Sequence, residues 1–120
     1  VYTALDPDQC ATTSRRVIET VIRGAMGFDG LLMSDDLGMK ALEGDFGARA
    51  RRSLAAGCDI ALHCSGDLDE MRAVLSAVAP IGAEAIRRLD AALAWPHDPP
   101  PDSAEDKARA LAAARDLLLA

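Results

Sequence analysis

Apolar and polar residues along this chain of 120 fall into two kinds of block. Some are short continuous apolar runs, as suits strands buried on both faces. Others are longer stretches with apolar residues every three or four positions, as suits amphipathic helices. Residues 1–5 read as the tail of a strand closed by Asp6 and Pro7. Ser14 is placed to cap a helix carrying Val17, Ile18, Val21, Ile22 and Met26, with Gly24 and Gly27 available to end it. Gly30 opens a second strand through residue 34. A helix over 45–56 is expected to bury Phe46, Ala50 and Leu54 and to stop at Gly57. Residues 59–64, DIALHC, form a third apolar run. Asp67 and Glu70 have the spacing of a capping box for a helix carrying Leu68, Met71, Val74, Leu75 and Val78, which Pro80 stops. Another helix over 81–95 presents Ile86, Leu89 and Leu93.

Strand then helix, repeating at about 30 residues per unit, is the pattern of βαβ units and predicts an α/β fold with parallel strands. Right-handed crossovers put the C-terminal ends of such strands on one face, where Asp6, Asp35 and the 65–67 loop would converge. Three strands complete neither a flavodoxin-like sheet of about five nor a barrel of eight, so the chain reads as part of a larger sheet. Val1 opens directly into an apolar segment without an initiator Met, and a truncated start is the expectation. Residues 1–95 read as one α/β portion, 96–102 as a Pro-rich connector, and 103–120 as a final Ala/Leu-rich helix that must dock to be stable.

Half of the residues are hydrophobic, enough for a core, while aromatics are only 3%, so packing must run through small aliphatic side chains. A net charge of −6 argues against nucleic acid as partner, which needs a basic stripe. The local basic groups, Arg49, Arg51 and Arg52 and then Arg87 and Arg88, fall on polar helix faces and read as solvated. Three cysteines, Cys10, Cys58 and Cys64, are an odd count without metal-ligand spacing; they suggest neither a disulfide framework nor a zinc site, and point to a reducing, cytoplasmic setting. No apolar run approaches the roughly 20 residues of a membrane span.

The richest segment is LLMSDDLGM, residues 31–39, where an apolar run ends abruptly in Ser34, Asp35 and Asp36. Acids at the C-terminal end of a buried parallel strand lie where α/β enzymes place their chemistry. Side chains alternate along a strand, so Asp35 and Asp36 cannot both face one side without a bulge.

Taken together, YTALDP, ATTS, GFDGLLMSDDLGMKAL and AGCDIALHC resemble glycoside hydrolase family 3, and most closely its β-N-acetylhexosaminidases. The resemblance covers about residues 1–93 in family order and implies the last three βα units of a TIM (β/α)8 barrel, incomplete here, with C-terminal helices beyond. It implies that Asp35, directly after the Ser at the end of the seventh strand, is the catalytic nucleophile, with Asp36 orienting the turn. The implied reaction is retaining hydrolysis of terminal β-linked N-acetylglucosamine from glycosides such as peptidoglycan fragments, without metal or organic cofactor. The family's acid/base, a His supported by an Asp on an upstream loop, and its sugar-binding Lys-His segment have no counterpart in these residues. On that reading the chain supplies the nucleophile and would be inactive alone.

Blander readings stand beside these. Asp6 before Pro7 suits a turn, and His63 inside DIALHC suits a core residue with a satisfied hydrogen bond. His97 among prolines suits solvent. Cys58 and Cys64 suit small buried hydrophobes. Packing is the default for Met33 and Met39, although Met39 lies close enough to the acids to line a sugar subsite. Two other functions remain open on the residues alone: a truncated chain that keeps the motif without chemistry, and a metal-dependent phosphoryl-transfer domain using the paired acids.

Overall fold

The computed structural model describes residues 2–95 together with residues 104, 105, 108, 109 and 112. In order they form a 3-10 turn Ala11–Thr13, a π-helix Val17–Ala25, strand β1 Met33–Asp36, helix α1 Phe46–Ala56, strand β2 Ile60–Leu62, helix α2 Leu68–Ala77 and helix α3 Ala83–Leu93. The expected connector at 96–102 and His97 lie outside the described residues. Of the expected helix over 103–120, the five described residues have helical backbone.

β1 and β2 pair in parallel across α1, as a βαβ crossover requires. Among the described residues these are the two strands, and the strand expected over 1–5 is not formed. Residues 3–5 make a turn instead, with the Leu5 and Asp6 N–H groups both donating to Tyr2 O at 2.8 and 3.0 Å. A ladder needs a neighbour, and no described strand runs beside this segment, so local bonds satisfy its backbone.

Ser14 caps the first helix as the sequence predicts: its Oγ accepts from Val17 N–H at 3.1 Å and its carbonyl from Ile18 N–H. The helix it caps is wound more widely than the expected α-helix. Met26 N–H donates five residues back to Val21 O at 2.9 Å, and a Cβ on Gly24 would sit 3.1 Å from Glu19 O. The bare glycine therefore admits the close carbonyl that this wider winding brings in.

α1 starts and ends as expected. Asp45 Oδ1 accepts from Ala48 N–H, and Gly57 closes the helix at φ 115°. Its fully covered face is smaller than the apolar pattern suggests, consisting of Gly47, Ala50, Ser53 and Ala56. Phe46 and Leu54 are only half-buried. A Cβ on Gly47 would lie 2.8 Å from Ala77 Cβ and 3.1 Å from Ala73 O, so α1 and α2 approach through bare backbone. One core cluster gathers Ile18, Ala56 and Cys58 under Ile22 and Leu32; the other gathers Leu37, Leu42 and Ala50 under Phe46, Ala61, Val74 and Val78. α1 contributes to both.

The capping box predicted for α2 does not close. Asp67 Oδ1 accepts from the Asp69 and Glu70 N–H groups, but Ser65 Oγ takes the Asp67 N–H and Glu70 turns to His63. α2 and α3 bury no residue fully. Leu68, Leu75, Leu93 and Trp95 stand about two-thirds exposed. Ion pairs anchor α3 instead: Arg87 binds Asp29 at 2.7 Å and Arg88 binds Asp59 at 2.9 Å. Arg88 is therefore not the solvated residue its helix face suggests.

Candidate active site

The C-terminal ends of β1 and β2 bring Ser34, Asp35 and Asp36 beside His63, Cys64 and Ser65. The register sets their geometry. Met33 pairs with Ile60 and Asp36 with Leu62, so three steps on β1 match two on β2, and β1 carries one extra residue. That is a β-bulge, a device that re-aims side chains at strand ends. Ser34 makes it possible: its Oγ accepts from Leu62 N–H at 2.9 Å, standing in for a ladder carbonyl, and donates to Asp35 O at 2.7 Å. Regular pairing resumes where Leu37 N–H meets Leu62 O at 2.8 Å. At the other end, β1 starts later than the predicted Gly30: Leu32 O accepts from the Asp59 and Ile60 N–H groups, while Leu32 N–H donates to the Asp59 side chain at 2.9 Å.

The bulge gives the two acids different surroundings. Asp35 is exposed, and its Oδ1 accepts from the next N–H, that of Asp36, at 2.8 Å. Asp36 is a framework group: its Oδ1 accepts from Gly38 N–H at 3.0 Å and from Cys64 N–H at 3.2 Å, joining the ends of both strands. The Gly38 N–H does most to hold the Asp36 carboxyl below its ordinary range, against the opposing effect of partial burial and with help from Cys64. A Cβ on Gly38 would lie 2.9 Å from Asp36 Oδ2, so the turn depends on that glycine.

Beneath the turn lies His63, its side chain 5% exposed. Its Nε2 sits 2.9 Å from Glu70 Oε2 and 2.9 Å from Ser65 Oγ, and Phe46 packs with ring centroids 4.6 Å apart. The buried, hydrogen-bonded reading of His63 holds on the Nε2 side. Its Nδ1 is buried without a hydrogen bond and faces Asp36 Oδ1 at 3.7 Å.

The remaining candidates divide. Asp6 does not join the acid turn through its hydrogen bonds: it accepts from Asp8 and Gln9 N–H and from Ser14 Oγ, the turn role. The Ser14 hydroxyl is the main reason its carboxyl sits below the usual range. Met39 packs half-buried on the Leu37–Leu42–Ala50 cluster beside the acids. Cys58 is buried, and burial pushes its thiol pKa up; Cys64, expected to be buried, is exposed because it lies beyond β2 in the loop that Asp36 holds. An open apolar groove of about 840 Å³ lies between α1, α2 and α3 and includes none of the acid-turn residues.

The sequence reading placed the loop of Ser65 near the acids but missed the roles of Arg49, read as solvated, and of Glu70, read as a cap. Arg49 NH1 donates to Leu37 O at 2.8 Å and its Nε to Gly44 O at 2.9 Å, so it spans the loop after the acids rather than facing solvent. A cation in the first turn of a helix runs against the helix dipole, and that was the available signal.

Residues 1–94 match the family described as Glycosyl hydrolase family 3 N terminal domain. The chain belongs to glycosyl hydrolase family 3. Its curated family 3 relatives include a "Beta-hexosaminidase" of Bordetella avium, 42% identical over 100 residues that make up 80% of this chain and 28% of the relative. Another, of Bordetella pertussis, is 42% identical over 93 residues, 74% of this chain and 26% of the relative. A third, of Tolumonas auensis, is 46% identical over 67 residues, 54% of this chain and 20% of the relative. The chain thus spans about a quarter of the length of the curated relatives it matches. Among the described residues no helix is long and apolar enough to cross a membrane.

Proposed function

We propose that this chain provides the nucleophile of a retaining β-N-acetylhexosaminidase, with Asp35 as that nucleophile. The observation that carries the reading is the bulge: within the family 3 segment it leaves Asp35 exposed at the end of a parallel strand while Ser34 and Asp36 are committed to holding the turn. As the glycosidic bond breaks, positive charge develops at the anomeric carbon. An ionised Asp35 stabilises that charge and then bonds to the carbon, forming a glycosyl-enzyme as the leaving oxygen takes a proton from the acid group. Water then attacks the same carbon, gives its proton to that group, and releases Asp35.

On this reading β1 and β2 are the seventh and eighth strands of a (β/α)8 barrel within residues 1–95, followed by a connector at 96–102 and a helix over 103–120. The substrate is a terminal β-linked N-acetylglucosaminide, of the kind a cytoplasmic peptidoglycan-recycling enzyme releases from muropeptide fragments, with Met39 at the edge of the sugar subsite. The acid/base group and most of the pocket come from outside these residues.

The test uses the product of the complete reading frame and an aryl N-acetyl-β-glucosaminide. Asp35→Asn removes the charge and the nucleophile, and kcat should fall by at least about three orders of magnitude. Asp36→Asn should retain measurable turnover. A mechanism-based fluorosugar should label the peptide containing Asp35 at that residue. Labelling of Asp36, or wild-type rates in Asp35→Asn, would overturn the assignment.

A further inference from the structure

We infer that His63 is a positioning residue for the acid turn, acting through Asp36, and that its protonation tightens this turn. The inference rests on the reading of Asp35 as nucleophile. It starts from an asymmetry at one buried imidazole. Glu70 is an acceptor only, so the 2.9 Å contact fixes the proton on Nε2. In the neutral ring Nδ1 then carries a lone pair, and what it faces is another acceptor, Asp36 Oδ1, at 3.7 Å. Two acceptors hold apart, which accounts for a buried Nδ1 with no hydrogen bond.

Proton uptake at Nδ1 reverses the contact. The ring becomes a cation between two carboxylates, its Nδ1 3.7 Å from Asp36 Oδ1, the oxygen that receives the Gly38 and Cys64 N–H groups. Closing that gap joins Glu70 of α2, His63 and Asp36 of β1 into one chain. Asp36 N–H in turn donates to Asp35 Oδ1, so the orientation of the nucleophile follows that of its neighbour. The charged groups around the ring are Asp36 from β1 and Glu70 from α2. From α1 it meets the neutral Phe46 ring, whose other neighbour is the Arg49 guanidinium 5.2 Å from its centroid. Ser65 supplies a hydroxyl from the loop.

Two substitutions separate the halves of this chain. His63→Asn keeps an amide donor near the Nδ1 position toward Asp36, and His63→Gln keeps one near the Nε2 position toward Glu70. In the complete gene product, assayed where the ring is charged, His63→Ala should lower kcat about ten- to a hundredfold with KM within about threefold, because a misplaced nucleophile costs rate more than binding. His63→Asn should recover most of that loss and His63→Gln little. Equal effects of all three, tracking their melting temperatures, would overturn the inference by showing a structural role only. A second measurement does not depend on turnover. In the wild type the Gly38 and Cys64 amide resonances should shift over the same pH range as the His63 ring nitrogens, and in Asp36→Asn that coupling should be lost. Independent titrations would also overturn it. An inactive wild type would instead defeat the functional reading, leaving the titration to decide the placement of His63.

Discussion

The Asp59 carboxylate, 7% exposed, is where charge does most for this fold. Its Oδ2 accepts from Arg23 NH2 at 2.8 Å and from Leu32 N–H at 2.9 Å, and its Oδ1 from Arg88 NH1 at 2.9 Å. One side chain thus ties the π-helix, the approach to β1, the approach to β2, and α3. Asp59→Asn removes the charge and leaves one carbonyl oxygen for three donors. Two guanidiniums, each 16% exposed, would then sit together without their shared anion. Breaking a fully buried pair costs about 3–5 kcal/mol; these cations still reach water and Arg88 keeps Asp29 at 3.3 Å, so about 2–3 kcal/mol is expected. The exposed pair Arg15–Glu19, 72% and 55% exposed, is the internal control, and Arg15→Gln should cost under about 0.5 kcal/mol. Urea unfolding of the complete gene product measures both. The pH dependence has a definite sign. Burial works to raise the Asp59 pKa, but the Leu32 N–H and the two guanidiniums prevail and hold the carboxyl below its ordinary 3.8. Its contribution is therefore complete above 3.8 and is lost as pH falls below that value through the lower folded pKa. Asp59→Asn should flatten the stability profile in that acid range. A loss below about 1 kcal/mol with an unchanged acid limb would refute this account of the network.

Ser34→Ala leaves the Leu62 N–H without its acceptor at a site only 6% exposed, and should destabilise by about 1–3 kcal/mol; Ser34→Thr should keep most of that, and equal unfolding midpoints for Ala and wild type would count against the bulge geometry. The 120 residues expressed alone should self-associate or pack loosely, because Met33, Phe28, Leu68, Leu75 and Trp95 stand between 42% and 72% exposed. Sedimentation velocity decides this, and a monomer with a sharp cooperative melt would contradict it.

What was legible in the sequence was local. Asp45 and Gly57 bound α1, Ser14 caps the first helix, and the apolar runs before Ser34 and after Gly57 pair in parallel, because each of these features is set by residues close along the chain. What was not legible depends on partners far along the chain. The segment at 2–5 has apolar strand character but no described neighbour to pair with. The capping box at Asp67 fails because Glu70 meets His63, and the basic helix faces are recruited by Asp29, Asp59 and the carbonyls of Leu37 and Gly44. Charged side chains with two or three competing partners choose by tertiary geometry, which spacing does not encode.

The acid turn shows the same division at finer grain. Alternation along a strand requires a bulge if neighbouring acids are to escape opposite faces, and the register supplies one. Nothing in the residue pattern marks which position accommodates the extra backbone. Ser34 does so because a hydroxyl accepts from Leu62 N–H while donating to Asp35 O, a double role that no alkyl side chain in the same apolar run can fill. The Ser before the acids thus shapes the acid turn in an indirect way. It satisfies the backbone that the bulge interrupts, so that Asp36 can bind the end of β2 and Asp35 can remain exposed.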